Sequence, residues 1–497
     1  MRNFIAFLFF NKVRASVGIM IDFSHIKNMS AISFKAADSA TSKQPAAVSN
    51  PIAAPQSPVA SYSAENVKAY VPQISTTIKT PEEQQKYTAI LKNSDSQTRS
   101  KLNALLKNGV LLDKNSNDKS TVLDNLYKIA SEPRIKGLNS KTIIKETVDA
   151  VANPCVITQN FGDVPKNVEQ DILSSPVGTG LTPDSLNVHS ACCVATSIEY
   201  NIASKEPAEF ARMVAGLSSE NYGITKNLKM SDISPNTVDA MWLLNEFNIK
   251  HKQKDWDNVE VTLEPDRNAV IRARIQNSYK DPLERSCVDV LMQSTLMNIG
   301  SQNTYDSLTD TRTGKFNPDN RGLTDIEKNL TEEIAQGVPK VSVTYQDLDE
   351  EGKLIGYECD AKTVQKQILD ALKMNTNVII GYTQFDADKK VVNGHEITII
   401  GAEQDKDGKL TFICNDTDDN LPEPIKMSAD ELIPMIHHAG LPKDVLKDDV
   451  QFVDSWKEVL QAYQDSKKAP EQAVAQPASA VQNAPQNLPQ TPEAPAV

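Results

Sequence analysis

The chain has 497 residues and carries 52 Lys and Arg against 65 Asp and Glu, a net charge of −13. That balance, with no run of basic residues, disfavours a nucleic-acid partner. The six cysteines, at 155, 192, 193, 287, 359 and 414, are too sparse and irregular for a disulfide framework and read as mainly free thiols.

The N-terminus, "MRNFIAFLFFNKVRASVGIMIDF", has an apolar run only from Phe4 to Phe10. A membrane-spanning helix needs about 20 apolar residues, so no membrane span is expected. A signal peptide would be at the short limit and would lack a small-x-small cleavage site, so translation is expected from Met20 or Met29 instead. The compartment stays open between cytoplasmic and secreted. Residues 36–75 and 469–497 are rich in Ala, Pro, Ser and Gln. Such segments cannot bury enough apolar surface to offset chain entropy, and 1–75 and 469–497 are expected to be disordered.

Between these ends the pattern begins as helix, and 76–152 is expected to be a small helical domain. "TPEEQQKYTAIL" opens with Thr80 as N-cap, Pro81 at the first helical position and Glu83 closing a capping box. Two further helices are expected at 120–130 and 140–152. A main domain, 153–440, follows. In it "HSACCVATSIEYNIAS" predicts a helix capped by Ser190 and running to about Ala203. Further helices are expected at 207–215, ending at Gly216, and at 235–247, where Ser234-Pro235 supplies cap and first turn. The stretch 262–336 reads as polar helix, making 250–340 a helical insertion, with 304–322 a long loop inside it.

The period then changes. "KVSVTYQDLDEEGKLIGYEC" (340–359) reads as strand, turn, strand, and 361–374 as an amphipathic helix with Val364, Ile368 and Leu372 on one face. "NVIIGYTQF", "HEITIIGAEQ" and "KLTFICND" read as three strands that should be sheet neighbours. "SADELIPMIHH" (428–438) restarts a helix behind a Ser428–Glu431 capping box, and 441–468 is expected to be a C-terminal helix. Helices first and an antiparallel sheet later is an α+β order.

Two adjacent cysteines at a helix start raise the question of a nucleophile. A cysteine nucleophile works as thiolate, which a helix N-terminus and a protonated His both favour. Among six histidines, His395 has a telling setting, after Gly394 at the start of an apolar strand whose pleat fixes side-chain direction. The next strand ends in Asn415-Asp416, either of which could hold the imidazole tautomer. Alternation allows only one of the two to face His395.

A Cys at a helix start, Gly-His opening a strand and Asn or Asp ending the next strand resemble the papain-like cysteine peptidase fold. The bacterial double-glycine, bacteriocin-processing peptidase group is the most similar variety. "GHEITIIGAEQDKDGKLTFICND" carries its second half, and "QILDALKMNTNVIIGYT" the helix and strand before it. The resemblance covers roughly 153–440, apart from the insertion at 250–340. It implies a helical half and an antiparallel-sheet half with a cleft between them. Papain-like spacing, Ala two residues on and Ser four on, matches Cys193-Val194-Ala195-Thr196-Ser197 and selects Cys193 as nucleophile. The double-glycine pattern, Cys-Gly-Pro, would select Cys192, but Gly and Pro are absent. For the orienting residue, Asp416 matches the double-glycine pattern and Asn415 the papain pattern, and Asp416 is preferred. The resemblance further implies an oxyanion hole built from a Gln side chain and the nucleophile's own N–H, with Gln159 the candidate.

Other chemistry is excluded or stays bland. In H-E-x-x-H the second His position is Ile399, so a zinc protease is excluded. No C-x-x-C exists and Cys192-Cys193 is poor metal geometry, so no metal or other cofactor is expected. "DKDG" (405–408) reads as a hairpin turn, and "RTGKF" lacks the Ser or Thr of a P-loop. His437-His438 read as residues near a helix C-terminus, His189 as a solvated loop residue, and Cys155, Cys287, Cys359 and Cys414 as core thiols. The sequence thus implies a thiol hydrolase acting on a peptide or protein substrate. The alternatives are another papain-like acyl transfer, deamidase or transglutaminase-like, and a non-catalytic interaction protein.

Overall fold

Helices begin where a side-chain oxygen can accept from the amides that a first turn leaves unpaired. In a computed structural model of the chain, α1 (Pro81–Lys92) starts behind Thr80, which accepts from the Glu83 N–H while Glu83 accepts from the Thr80 N–H. The structure describes residues 75–161, 166–175, 182–183, 191–233, 239–278, 284–316, 321–348, 354–357, 360–385, 391–418 and 421–446. The expectations for 1–74 and 447–497, and for His189, Ser190, Ser234, Pro235 and Cys359, lie outside these residues. All described residues belong to one unit, Met20–Trp456.

Helix α2 (Ser96–Lys107), capped by Asp95, was not foreseen, because its buried stripe is only Thr98, Leu102 and Leu105. Helices α3 (Val122–Ser131), with its Thr121–Asp124 capping box, and α4 (Ser140–Ala152) lie where the sequence places them. Then come α5 (Lys166–Leu173), α6 (Cys193–Lys205) and α7 (Pro207–Leu217).

The next stretch corrects the sequence reading. Strand β1 (Ile224–Lys229) precedes α8 (Ala240–Glu246), which Asp239 caps through the Trp242 N–H. The insertion opens with β2 (Lys250–Gln253) and β3 (Asn258–Leu263), not with helix. They join β1 in an antiparallel sheet of order β1-β3-β2. The reason is a period of two: "NVEVTL" buries Val259, Val261 and Leu263 and exposes more of the residues between them. Helices α9 (Ala269–Ser278), α10 (Cys287–Gly300) and α11 (Asp325–Gln336) follow. Every residue of α10 is buried, and it packs against α6, α9 and α11 as the axis of the helical part.

After β4 (Lys340–Thr344) come the paired strands β5 (Gln346–Leu348) and β6 (Leu354–Tyr357), then α12 (Ala361–Lys373). The strands β7 (Val378–Phe385), β8 (Val391–Gln404) and β9 (Leu410–Asn415) are successive antiparallel neighbours, as the sequence predicts. The turn between β8 and β9 needs Gly408, whose φ of 82° lies in the left-handed region. With β10 (Ile425–Ser428) and β11 (Ile436–Pro442) the sheet has the order β10-β9-β8-β7-β11-β4. Val364 and Ile368 of α12 pack on the core formed by Val343, Ile380, Ile397, Ile399 and Phe412. Burying each such side chain stabilises by about 1.5–3 kcal/mol.

The helix expected at 428–438 is a second correction. Only Ala429–Leu432 is α-helical, Ser428 makes no side-chain cap bond, and the chain becomes β11 at Ile436. His437 and His438 are therefore strand residues. His438 pairs with Glu396 at 2.8 Å, and its Nδ1 lies 2.8 Å from that of His437. The architecture is α+β. Among the described residues no helix is long and apolar enough to cross a membrane.

Candidate active site

Helix α6 begins at Cys193, with Cys192 in the cap position and no side-chain cap bond, so the expected cap at Ser190 is corrected by two residues. Cys193 thus sits in a first turn whose amides lack intrahelical acceptors and which carries the positive end of the helix dipole. The two thiols diverge. Cys192 is fully buried, with Sγ 3.2 Å from the Tyr305 hydroxyl and 3.3 Å from Asp310 Oδ1. Cys193 is half-buried and lies beside the His395 imidazole, close enough to influence its protonation. Successive helical residues point about 100° apart, so one partner cannot serve both.

His395 is buried, and its Nε2 lies 2.8 Å from Asp416 Oδ1. The Tyr382 ring, opposite in the β7–β8 register, meets the imidazole edge-on at 5.8 Å between centroids. The pleat separates His395 from its neighbour Glu396, which pairs instead with Lys328 of α11 and with His438. Burial pulls the imidazole towards its neutral form. The hydrogen bond with Asp416, then the nearby Cys193, and the charges of both outweigh burial and push the pKa up to about 12.

At the end of β9, Asp416 Oδ1 also accepts from the Asp418 N–H at 3.0 Å, which anchors the carboxylate. Asn415 turns to the opposite side, where it and Tyr200 lie near Cys155. Asp416, not Asn415, is therefore the residue on the imidazole. Burial pushes the Cys155 thiol up to about 11, with Tyr200 and Asn415 opposing, and burial also raises Cys287 and Cys414. These three are packing thiols.

Gln159 lies beside the same strand end. Its N–H donates to the Thr417 carbonyl at 3.2 Å, its Oε1 accepts from the Thr417 hydroxyl at 3.2 Å, and its Nε2 donates to Asp418 Oδ1 at 3.1 Å. The Thr158 hydroxyl and the Asn160 amide complete the clasp on Thr417 and Asp418. The structure therefore ties Gln159 to the Asp416 turn and shows its amide occupied by Asp418.

Sequence reasoning missed Tyr382, Thr417, Tyr305 and Asp310. Counting residues outward from a β7–β8 hairpin would have placed Tyr382 opposite His395; the other three have no local signature. Among the described residues no cluster of three or more His, Cys, Asp or Glu is placed to hold a metal ion. No family model matches the chain, and no curated protein and no solved structure matches it.

Proposed function

We propose that this protein is a cysteine hydrolase of papain-like type, cleaving a peptide or amide bond in a peptide or protein substrate. One arrangement carries the reading: Cys193 at the start of a helix, beside an imidazole whose Nε2 lies 2.8 Å from Asp416 Oδ1. In this reading the imidazolium accompanies a Cys193 thiolate. The thiolate attacks the substrate carbonyl, and His395 passes its proton to the leaving amine. The neutral imidazole then takes a proton from water, which attacks the acyl-enzyme and releases the acid. Asp416 keeps the ring oriented throughout. Gln159 Nε2 exchanges Asp418 for the oxyanion, alongside the Cys193 N–H.

The test is iodoacetamide labelling at about pH 5, read by peptide mass, followed by hydrolysis of a peptide library. Cys193→Ala should abolish the acid-pH labelling and lower hydrolysis by on the order of 10⁴-fold or more, while Cys192→Ala retains both. The reverse pattern would move the nucleophile by one residue. A wild-type protein that neither labels nor hydrolyses would leave a non-catalytic interaction protein. Products trapped by added amines, or ammonia released from glutamine side chains, would assign transglutaminase-like or deamidase chemistry to the same three residues.

A further inference from the structure

The insertion reaches the residues just ahead of Cys193 through one buried carboxyl group. Asp310 is 2% exposed and has a φ of 49°, a conformation that costs a non-glycine residue energy unless its surroundings require it. Four donors converge on its side chain. The Ala191 N–H at 2.8 Å and Arg321 at 3.1 Å reach Oδ2; the Tyr305 hydroxyl at 2.8 Å and the Cys192 thiol at 3.3 Å reach Oδ1. Two of the four belong to the residues immediately before the nucleophile.

A second group links this cluster to the Gln159 segment. Arg285 is buried beside Cys192, Tyr305 and Asp310. Its guanidinium donates to the Gln159 carbonyl and lies 3.7 Å from the Phe161 ring centroid, while its N–H donates to the Asn160 carbonyl at 2.7 Å. The insertion therefore clamps both the entry to α6 and the segment that carries Gln159.

We propose that Asp310 is a positioning residue for the thiol reaction: by fixing the Ala191 backbone and the Cys192 thiol, it delivers Cys193 into α6 with its sulfur on His395. The inference rests on the reading of Cys193 as nucleophile. A carboxylate near a thiolate is electrostatically unfavourable, and here Arg285 and Arg321 offset its charge. Its placement thus serves geometry, and a misplacement of about 1 Å at a reacting atom can cost 10²-fold.

The test is the rate of iodoacetamide labelling at Cys193, followed by peptide mass from about pH 5 to 9, in wild type, Asp310→Asn and Tyr305→Phe. Asp310→Asn keeps the shape but replaces one acceptor with an amide donor. Positioning predicts labelling slower by roughly tenfold or more across the whole pH range, and by roughly threefold in Tyr305→Phe. Partial unfolding would expose the thiol and speed labelling, so a slow rate separates positioning from mere loss of stability. Faster labelling at acid pH, the effect of removing a negative charge alone, would overturn the inference, as would wild-type rates in either folded variant. If Asp310→Asn does not fold, Tyr305→Phe decides the question alone. Should wild-type Cys193 label no faster than an ordinary thiol, the nucleophile assignment falls and the inference falls with it; a fast wild type with unchanged variants sinks only the inference.

Discussion

The protonation of His395 sets two opposing effects against each other at a single side chain. Burial disfavours the imidazolium, yet Asp416 and Cys193 hold it charged, with a pKa of about 12 against an ordinary 6.5. In wild type the His395 ring resonances should therefore not titrate between about pH 5 and 9. In Asp416→Asn the charge and the acceptor are lost, and a titration should return to that range; an unchanged flat profile would show that Asp416 is not what holds the proton. The linkage has a definite sign. A folded pKa above the unfolded one contributes stability that is complete below about 6.5 and declines as pH rises towards 12. Asp416→Asn should accordingly cost more stability in urea at about pH 6 than at about pH 10. That Asp416 and not Asn415 takes this role is decided by the β8–β9 register; alternation in the chain alone says only that one of the two can.

Among the elements, α10 depends most on its surroundings. Ser286 and Asp289 form its capping box, and Glu146 from α4 accepts from the Val288 N–H at 3.2 Å. Burial, reinforced by the nearby Asp289, pushes the Glu146 carboxyl up to about 8 from an ordinary 4.5. Burial raises Asp289 and Glu199 as well. Between pH 4.5 and 8 the unfolded chain releases the Glu146 proton while the folded protein keeps it, so stability is lost as pH rises through that window. Glu146→Gln should flatten this decline, leaving the variant more stable than wild type at about pH 8 by on the order of 1–3 kcal/mol and nearly equal at about pH 4.5. Parallel wild-type and variant urea midpoints over the range would show that Glu146 does not cause the slope. Element identity was legible where periodicity was long. The pattern of 361–374 foretells α12, whereas "PMIHHAGLP" is too short and too mixed to distinguish the end of a helix from β11.

For the whole molecule, the first helices are joined to the rest through buried polar contacts as well as apolar packing. Arg134, just after α3, donates to the Ala215 carbonyl at 2.7 Å and to the Ser218 hydroxyl at 3.0 Å, and the Ile135 N–H donates to the Ser218 carbonyl at 3.0 Å. Helix α3 packs along α7, and α4 along α7 and α10. Removing 75–152 would expose these faces and strip acceptors of a buried cation. A fragment spanning 153–446 should therefore lack the cooperative thermal transition of the full chain and aggregate on purification. A sharp transition at the full-length midpoint would instead mark the helices as a separable domain.

What the sequence determined by itself is what short-range physics writes into it. The Thr80–Glu83 and Thr121–Asp124 capping boxes, the helix at 140–152, the neighbouring strands β7, β8 and β9, and the alternation that separates Asp416 from Asn415 all follow from bonds or periods spanning a few residues. The papain-like resemblance favoured Cys193 through the spacing of Ala195 and Ser197, and Cys193 is the thiol that lies beside His395. Only the tertiary structure decided the rest. It placed β11 between β7 and β4, paired β2 and β3 of an insertion read as helical with β1 ahead of it, and turned Cys192 onto Asp310, which lies 118 residues further along the chain. Such pairings depend on which surfaces remain to be buried once the local elements exist. A hydrogen bond between distant residues leaves no periodic trace in the chain that makes it.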